Sequence, residues 1–298
     1  MLNGEVSQKS LFPDSVEVLG DALEALEDLE LQRGFEYIDQ ARRLDPSLGN
    51  LDAIESALRW LRTTLGDPPP NLERAAAAFL DLPAAGLSPG AVSFADSALA
   101  RYGLRHAQGA FLDAGERVHV GALRLVLGHF AMARRALDIS IEEDRANLWG
   151  WRGDACVRAD RSVEANECYV RALILDASAV DLFRLHQPRL AELYAELLAT
   201  HPESCARELL LPNAWMRGLL HIAQGNEWLT GHIARLRART AVTGNASDAE
   251  QLRRFTFLFY LDRSRPPDAV SLDERGEMAG LAPELFRSVL AVLRKRER

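Results

Sequence analysis

Seven histidines and three cysteines are the side chains best suited to hold a metal or attack a substrate. They are His106, His119, His129, His186, His201, His221 and His232, with Cys156, Cys168 and Cys205. A zinc site needs ligands in close pairs, as in Cys-x-x-Cys, or two histidines one helical turn apart around a glutamate. Neither pattern occurs. His201, Glu203 and Cys205 alternate, but a metal there would need a fourth ligand from elsewhere, and Pro202-Glu203-Ser204 reads as a polar helix start. Cys156 and Cys168 fall at interior-type positions and read as small buried hydrophobes. Cys205, close to a helix start, is the least poor candidate nucleophile. The phosphate-cradling motifs GxxxxGK[ST] and GxGxxG are absent, as is the GxSxG elbow. The acidic groups Glu27-Asp28 and Glu142-Glu143-Asp144 fall on polar helix faces or ends, where solvated charge is expected rather than acid–base chemistry. The residues therefore predict no catalysis, no metal and no cofactor. The alternative is a helical enzyme whose site assembles from dispersed residues.

Composition narrows the classes further. The chain has 298 residues, 48% hydrophobic and 26% charged, with a formal charge of −8. That balance suits a globular protein. An acidic chain is a poor general nucleic-acid binder. Arg253, Arg254, Arg263 and Arg265 do interleave with Phe255, Phe257, Phe259 and Tyr260, a mixture that can stack single strands. However, Phe255, Leu258 and Phe259 fit one helical face, so core packing is expected and nucleic acid is disfavoured. Three cysteines rule out a disulfide scaffold and point to a reducing, cytoplasmic setting. No run of 18 apolar residues predicts membrane insertion, and MLNGEVSQKSLF does not read as a secretory signal. Charge is uneven. Residues 1–100 carry 7 basic and 17 acidic groups, residues 201–298 carry 15 and 12. Solvated helix faces explain this; head-to-tail self-association is the other option it leaves.

The elements that would position any site are helices. Ala, Leu, Glu and Arg dominate nearly every segment. Val16, Leu19, Leu23, Leu26 and Leu29 make an apolar stripe at helical period. Asn71 is placed as the cap of a helix through Leu82. Further helices are expected near 35–44, 52–65, 92–102, 116–127, 129–143, 146–159, 162–176, 179–199, 213–224, 226–241, 247–263 and 282–295. Pro188 should kink or split one of them. Asp67 to Pro70 reads as a rigid turn, and Arg265-Pro266-Pro267-Asp268 as another break.

An internal repeat appears when 117–141 is laid over 149–173, an offset of 32. Gly121 falls on Gly153, Leu125 on Val157, Gly128 on Asp160, Ala133 on Ala165, Leu137 on Tyr169, Ser140 on Ala172 and Ile141 on Leu173. Small meets small and large apolar meets large, the mark of stacked supersecondary units. Within 146–177, Gly153 would let a second helix approach closely, and Ala165, Tyr169 and Ala172 would form the facing ridge. Trp149, Gly153, Ala165, Tyr169, Ala172 and Asp176 together resemble a tetratricopeptide repeat. Arg152, Cys156 and Ala177 depart from that family's pattern. Residues 114–145 match it more loosely, with Arg117 in place of the tryptophan. A degenerate third copy is read at 213–241 from Gly218 and Gly225. Phe35, Ile38, Ala41, Asp45 and Pro46 resemble only the end of a unit.

The expected fold is all-α, an α-solenoid of antiparallel helix pairs. A tail at 1–12 precedes helices at 13–113, repeats at 114–200 and a capping region at 201–298. One repeat cannot bury its own apolar face, so neighbours must stack on it. The resemblance implies a concave groove, lined by first helices, that holds a peptide or helical segment of a partner protein. Asn147, Asp154 and Arg158, off the buried ridge of the matched repeat, are the groove candidates. Trp149 is expected to be buried. Trp151, two residues on, is either an exposed contact or packed against the next unit.

Overall fold

Strong helix formers and short polar turns give a chain of helices. In the computed structural model, which describes residues 13–66, 71–140, 144–225, 227–242, 244–266 and 269–296, no named strand occurs among the described residues. The expected tail at 1–12, the turn at 67–70, the pair Glu142-Glu143, and Ile141, Pro267 and Asp268 lie outside them. The helices are α1 (Pro13–Glu27), α2 (Leu31–Leu44), α3 (Leu51–Leu65), α4 (Leu72–Asp81), α5 (Pro89–His106), α6 (Val120–Val126), α7 (Phe130–Ser140) and α8 (Ala146–Arg158). They continue with α9 (Ser162–Asp176), α10 (Pro188–Leu198), α11 (Glu203–Met216), α12 (Glu227–Arg239), α13 (Asp248–Ser264), α14 (Leu272–Leu281) and α15 (Pro283–Arg296). No described helix is long and apolar enough to cross a membrane.

The chain divides into two compact units, 1–136 and 137–298, with the division inside α7. The borders expected at 113/114 and 200/201 fall within these units. In the first unit, α2 and α4 flank a layer made by α3 and α5, and the buried side chains include Ile38, Ile54, Leu58, Leu61 and Phe79. In the second, α11 touches α9, α10, α13 and α15. Residues 255–262 of α13 are all buried, as a helix surrounded by other helices must be. Phe255, Phe257, Phe259 and Tyr260 are therefore core, as their spacing predicted.

One turn recurs at several helix ends. At the end of α8, the Arg161 N–H reaches the Cys156 carbonyl at 2.9 Å and the Asp160 N–H the Val157 carbonyl at 3.2 Å. Asp160 has φ +61. At the end of α6, His129 binds Arg124 at 2.8 Å and Gly128 binds Leu125 at 3.0 Å, with Gly128 at φ +75. This paired pattern is a Schellman cap, which ends a helix and reverses the chain. It occurs 32 residues apart, the offset read from the sequence. The same cap closes α1, where Glu30 binds Ala25 at 2.8 Å and Leu29 binds Leu26 at 3.1 Å. Counted from that turn, Ala22 stands for Gly153, Gly34 for Ala165, Ile38 for Tyr169 and Ala41 for Ala172, and all four are buried. Both hairpins also end alike. The Asp45 Oδ1 accepts the Ser47 N–H at 3.0 Å, and the Asp176 Oδ1 accepts the Ser178 N–H at 3.0 Å.

Several expectations need correction. The hairpin that shares the turn and the buried small positions is α1–α2, and 213–241 does not form such a hairpin. Gly218 and Gly225 have φ +71 and +68 and sit in the connection after α11, with no helix crossing at either. The helix expected at 116–127 is only α6, because the Asp113 carboxylate gathers the backbone N–H groups of Arg117 (2.9 Å) and Val118 (3.2 Å) into a loop. His119 caps α6 through Nδ1, which accepts the Gly121 N–H at 2.9 Å. Burial pushes its pKa down to about 4, and a neutral ring is what an accepting nitrogen requires. Residues 180–187 are not helical, and Pro188 opens α10, where its missing N–H costs nothing. The helix expected at 213–224 is instead α11, which begins at Glu203 and ends at Met216, with Pro212 inside it. Helix α14 was not foreseen. Asn71 does cap α4, accepting the Arg74 N–H at 2.9 Å.

The crossing of α8 and α9 is tight. A Cβ built on Gly153 would lie 2.8 Å from Tyr169 Cε1, whereas one on Gly20, within α1, would meet nothing within 4 Å. Gly153→Leu is expected to lower stability by about 1–3 kcal/mol through overpacking. Gly20→Ala should raise it by about 0.5–1 kcal/mol by restricting the unfolded chain. Urea midpoints of both variants check the contrast, and equal effects would contradict the crossing.

Candidate functional site

Polar groups at the α8–α9 crossing form a closed network. The Tyr169 hydroxyl donates to Asp154 Oδ1 at 2.5 Å, and the His186 backbone N–H donates to the same oxygen at 2.7 Å. Asp154 is 2% exposed. Burial pushes its pKa up to about 8 against the pull of these two hydrogen bonds, and nearby Asp181 pushes the same way. Asp154 thus ties the second helix and the segment after it to the first. Its expected place in an open groove is corrected: the carboxylate turns inward because Tyr169 and His186 meet it there. Asn147 is half-buried, and its Oδ1 accepts the Leu148 N–H at 3.0 Å. Arg158 is exposed at the end of α8.

A cleft of about 700 Å³ opens beside this crossing, within the second unit. Val157 and Asp160 contribute from the end of α8. Ser162, Val163, Ala165, Asn166, Glu167 and Tyr169 contribute from α9, and Gln187 and Pro188 from the start of α10. The opposite wall is residues 219–223. None of Asn147, Asp154 and Arg158 lines the cleft. Helix α9, the second of the pair, supplies most of the lining on this side. Val163 is 73% exposed there.

The wall at 219–223 is fixed from three sides. A Schellman cap joins it to α11, with the Leu219 N–H on the Ala214 carbonyl at 2.8 Å and the Gly218 N–H on the Trp215 carbonyl at 3.0 Å. Gly225 donates to the Ser264 carbonyl at 2.9 Å. The Asn166 side chain takes both backbone groups of His221: Oδ1 accepts its N–H at 2.7 Å, and Nδ2 donates to its carbonyl at 2.8 Å. The cleft is thus preformed, as ligand sites usually are.

Other candidates prove structural. Trp149 is buried, with the Arg171 guanidinium 4.6 Å from its ring centre. Trp151 is 3% exposed, so packing wins over surface contact. All three cysteines are buried, and none is in a disulfide. A hydrogen bond with Cys156 and burial push the Cys168 thiol up, away from nucleophilic character. No cluster among the described residues could hold a metal, and the Cys205 side chain next to His201 and Glu203 is buried. The C-terminal arginines are paired internally: Arg253 with Glu208 (2.8 Å), Arg254 with Glu277 (2.7 Å), and Arg265 with Glu274. A phosphate backbone would have to compete for them.

No protein-family model, curated protein or solved structure matches the chain.

Asn166→Ala removes both hydrogen bonds to His221 while leaving α9 its helical backbone. Amide exchange at residues 219–223 is expected to quicken by about tenfold, the scale of one or two lost hydrogen bonds. Unchanged exchange there would show that the wall is held without Asn166.

Proposed function

We propose that this chain is a non-enzymatic adaptor, cytoplasmic, that holds a segment of a partner protein in the cleft beside α9. The observation that carries the reading is the cleft itself: preformed, open, and lined by both apolar and polar side chains. Surfaces of this kind mark interaction sites when they are not covered by the chain's own elements. The hairpins α1–α2 and α8–α9, each reversed by the same kind of turn, support tetratricopeptide-like helix pairs as the building block. Asp154, the buried carboxyl nearest the cleft, spends its Oδ1 on Tyr169 and His186. That use favours binding over acid–base work.

A benzophenone amino acid placed at Val163 of the full chain, irradiated in an extract of the native host, should give discrete adducts with another polypeptide. The same probe at Leu272, 80% exposed on α14, should not give them. Identical adducts at both positions, or none at 163, would contradict the adaptor reading. An adduct of two copies of this chain would favour a self-assembling subunit instead.

A further inference from the structure

The charge around the cleft has one sign. Among its lining residues Asp160 and Glu167 are carboxylates, and no lysine or arginine is present. Beside the cleft, Arg161 already pairs with Glu164 at 2.7 Å. Among the described residues, the side-chain carboxylates of Asp160 and Glu167 have no hydrogen-bond or ion-pair partner. Two exposed, unpaired carboxylates therefore share the cleft lining with the apolar side chains of Val157, Val163, Leu219 and Ile222.

The ways a peptide can be recognised narrow the occupant. Strand addition needs an exposed sheet edge, and the described residues form only an isolated bridge, Phe111 with His119. Polyproline recognition needs exposed aromatic rings, and the one aromatic in the cleft, Tyr169, is buried. Acidic and phosphorylated motifs need a cluster of arginines, and none lines the cleft. An apolar trough between two fixed walls instead suits the face of an amphipathic helix.

We propose that the cleft takes an amphipathic helix of a partner protein, apolar on the buried face and carrying lysine or arginine at its edges. Leucine, isoleucine or valine at positions i, i+3 and i+4 would enter between Val163 and Ile222. The basic flank would face Asp160 and Glu167. This rests on the adaptor reading and adds the chemistry of the partner to it.

The test uses the full chain and two fluorescein-labelled helical peptides, read by anisotropy. One peptide has leucine on one face and lysine on the other; its counterpart has glutamate for lysine. The leucine–lysine peptide is expected to bind saturably, about tenfold tighter than the glutamate one. Asp160→Asn with Glu167→Gln should weaken it about two- to fivefold, the scale of two exposed charge pairs. Val163→Glu separates specific docking from general attraction to an acidic chain. It adds negative charge at an exposed helical position yet should weaken binding at least about tenfold, because it spoils the apolar lining. Binding that survives Val163→Glu would overturn the proposal. Equal affinity for both peptides, still lost with Val163→Glu, would overturn the basic partner and leave the adaptor role standing. Failure of both peptides to bind would also overturn the helical partner, while cross-linking at Val163 judges the adaptor role separately.

Discussion

The meeting of Tyr169 with Gly153 and Asp154 is the contact on which the rest of the site depends. Only a residue without a side chain lets the aromatic ring lie so close to α8. The ring's approach in turn brings its hydroxyl to Asp154. That carboxyl also takes the backbone N–H of His186, so one buried group holds both the second helix and the segment leading to α10. Loosening it would move two of the surfaces that face the cleft together. The third, at 219–223, reaches the same place through Asn166 on the outer side of α9. Helix α9 is thus gripped from within by an acid and from without by an amide.

Charge is distributed in keeping with this arrangement. Arginine outnumbers lysine heavily in the sequence, and its planar fork suits fixed pairing with carboxylates. Many arginines in the second unit are committed in this way, including those of the basic C-terminal stretch. Arg296 adds a stacked contact, 4.2 Å from the Trp215 ring centre, and donates to the Trp215 carbonyl. These cations serve the unit's own architecture. The unmatched carboxylates in the cleft lining stand out against that background.

Part of this was legible in the sequence. The helical class followed from composition, and the α8–α9 crossing from side-chain size at Gly153, Ala165 and Tyr169. The offset of 32 matches the spacing of the two caps at Gly128 and Asp160. Of the α1–α2 hairpin only the end, at Phe35, Ile38, Ala41, Asp45 and Pro46, was legible, because the rest keeps sizes but changes types: Ala22 for glycine and Leu29 in the left-handed turn. Gly218 and Gly225 misled for the converse reason, since they serve turns. Asp154 was read as outward-facing because helical spacing alone does not reveal a tyrosine hydroxyl waiting inside. The cleft was illegible because Asn166 and His221 are 55 residues apart, and no local pattern records that pairing.

The pH dependence of stability, compared between the native chain and Asp154→Asn, tests the central contact most directly. With its folded pKa raised to about 8 from 3.8, Asp154 keeps its proton in the folded state and releases it on unfolding. Its stabilising share is complete below about pH 4 and is lost as pH rises toward 8, by up to about 1.4 kcal/mol per unit. Urea unfolding between pH 5 and 8.5 should therefore show the native chain losing stability relative to Asp154→Asn. Parallel curves would mean that Asp154 ionises as readily in the folded protein as in the unfolded chain, and its sealed burial at the crossing would not stand.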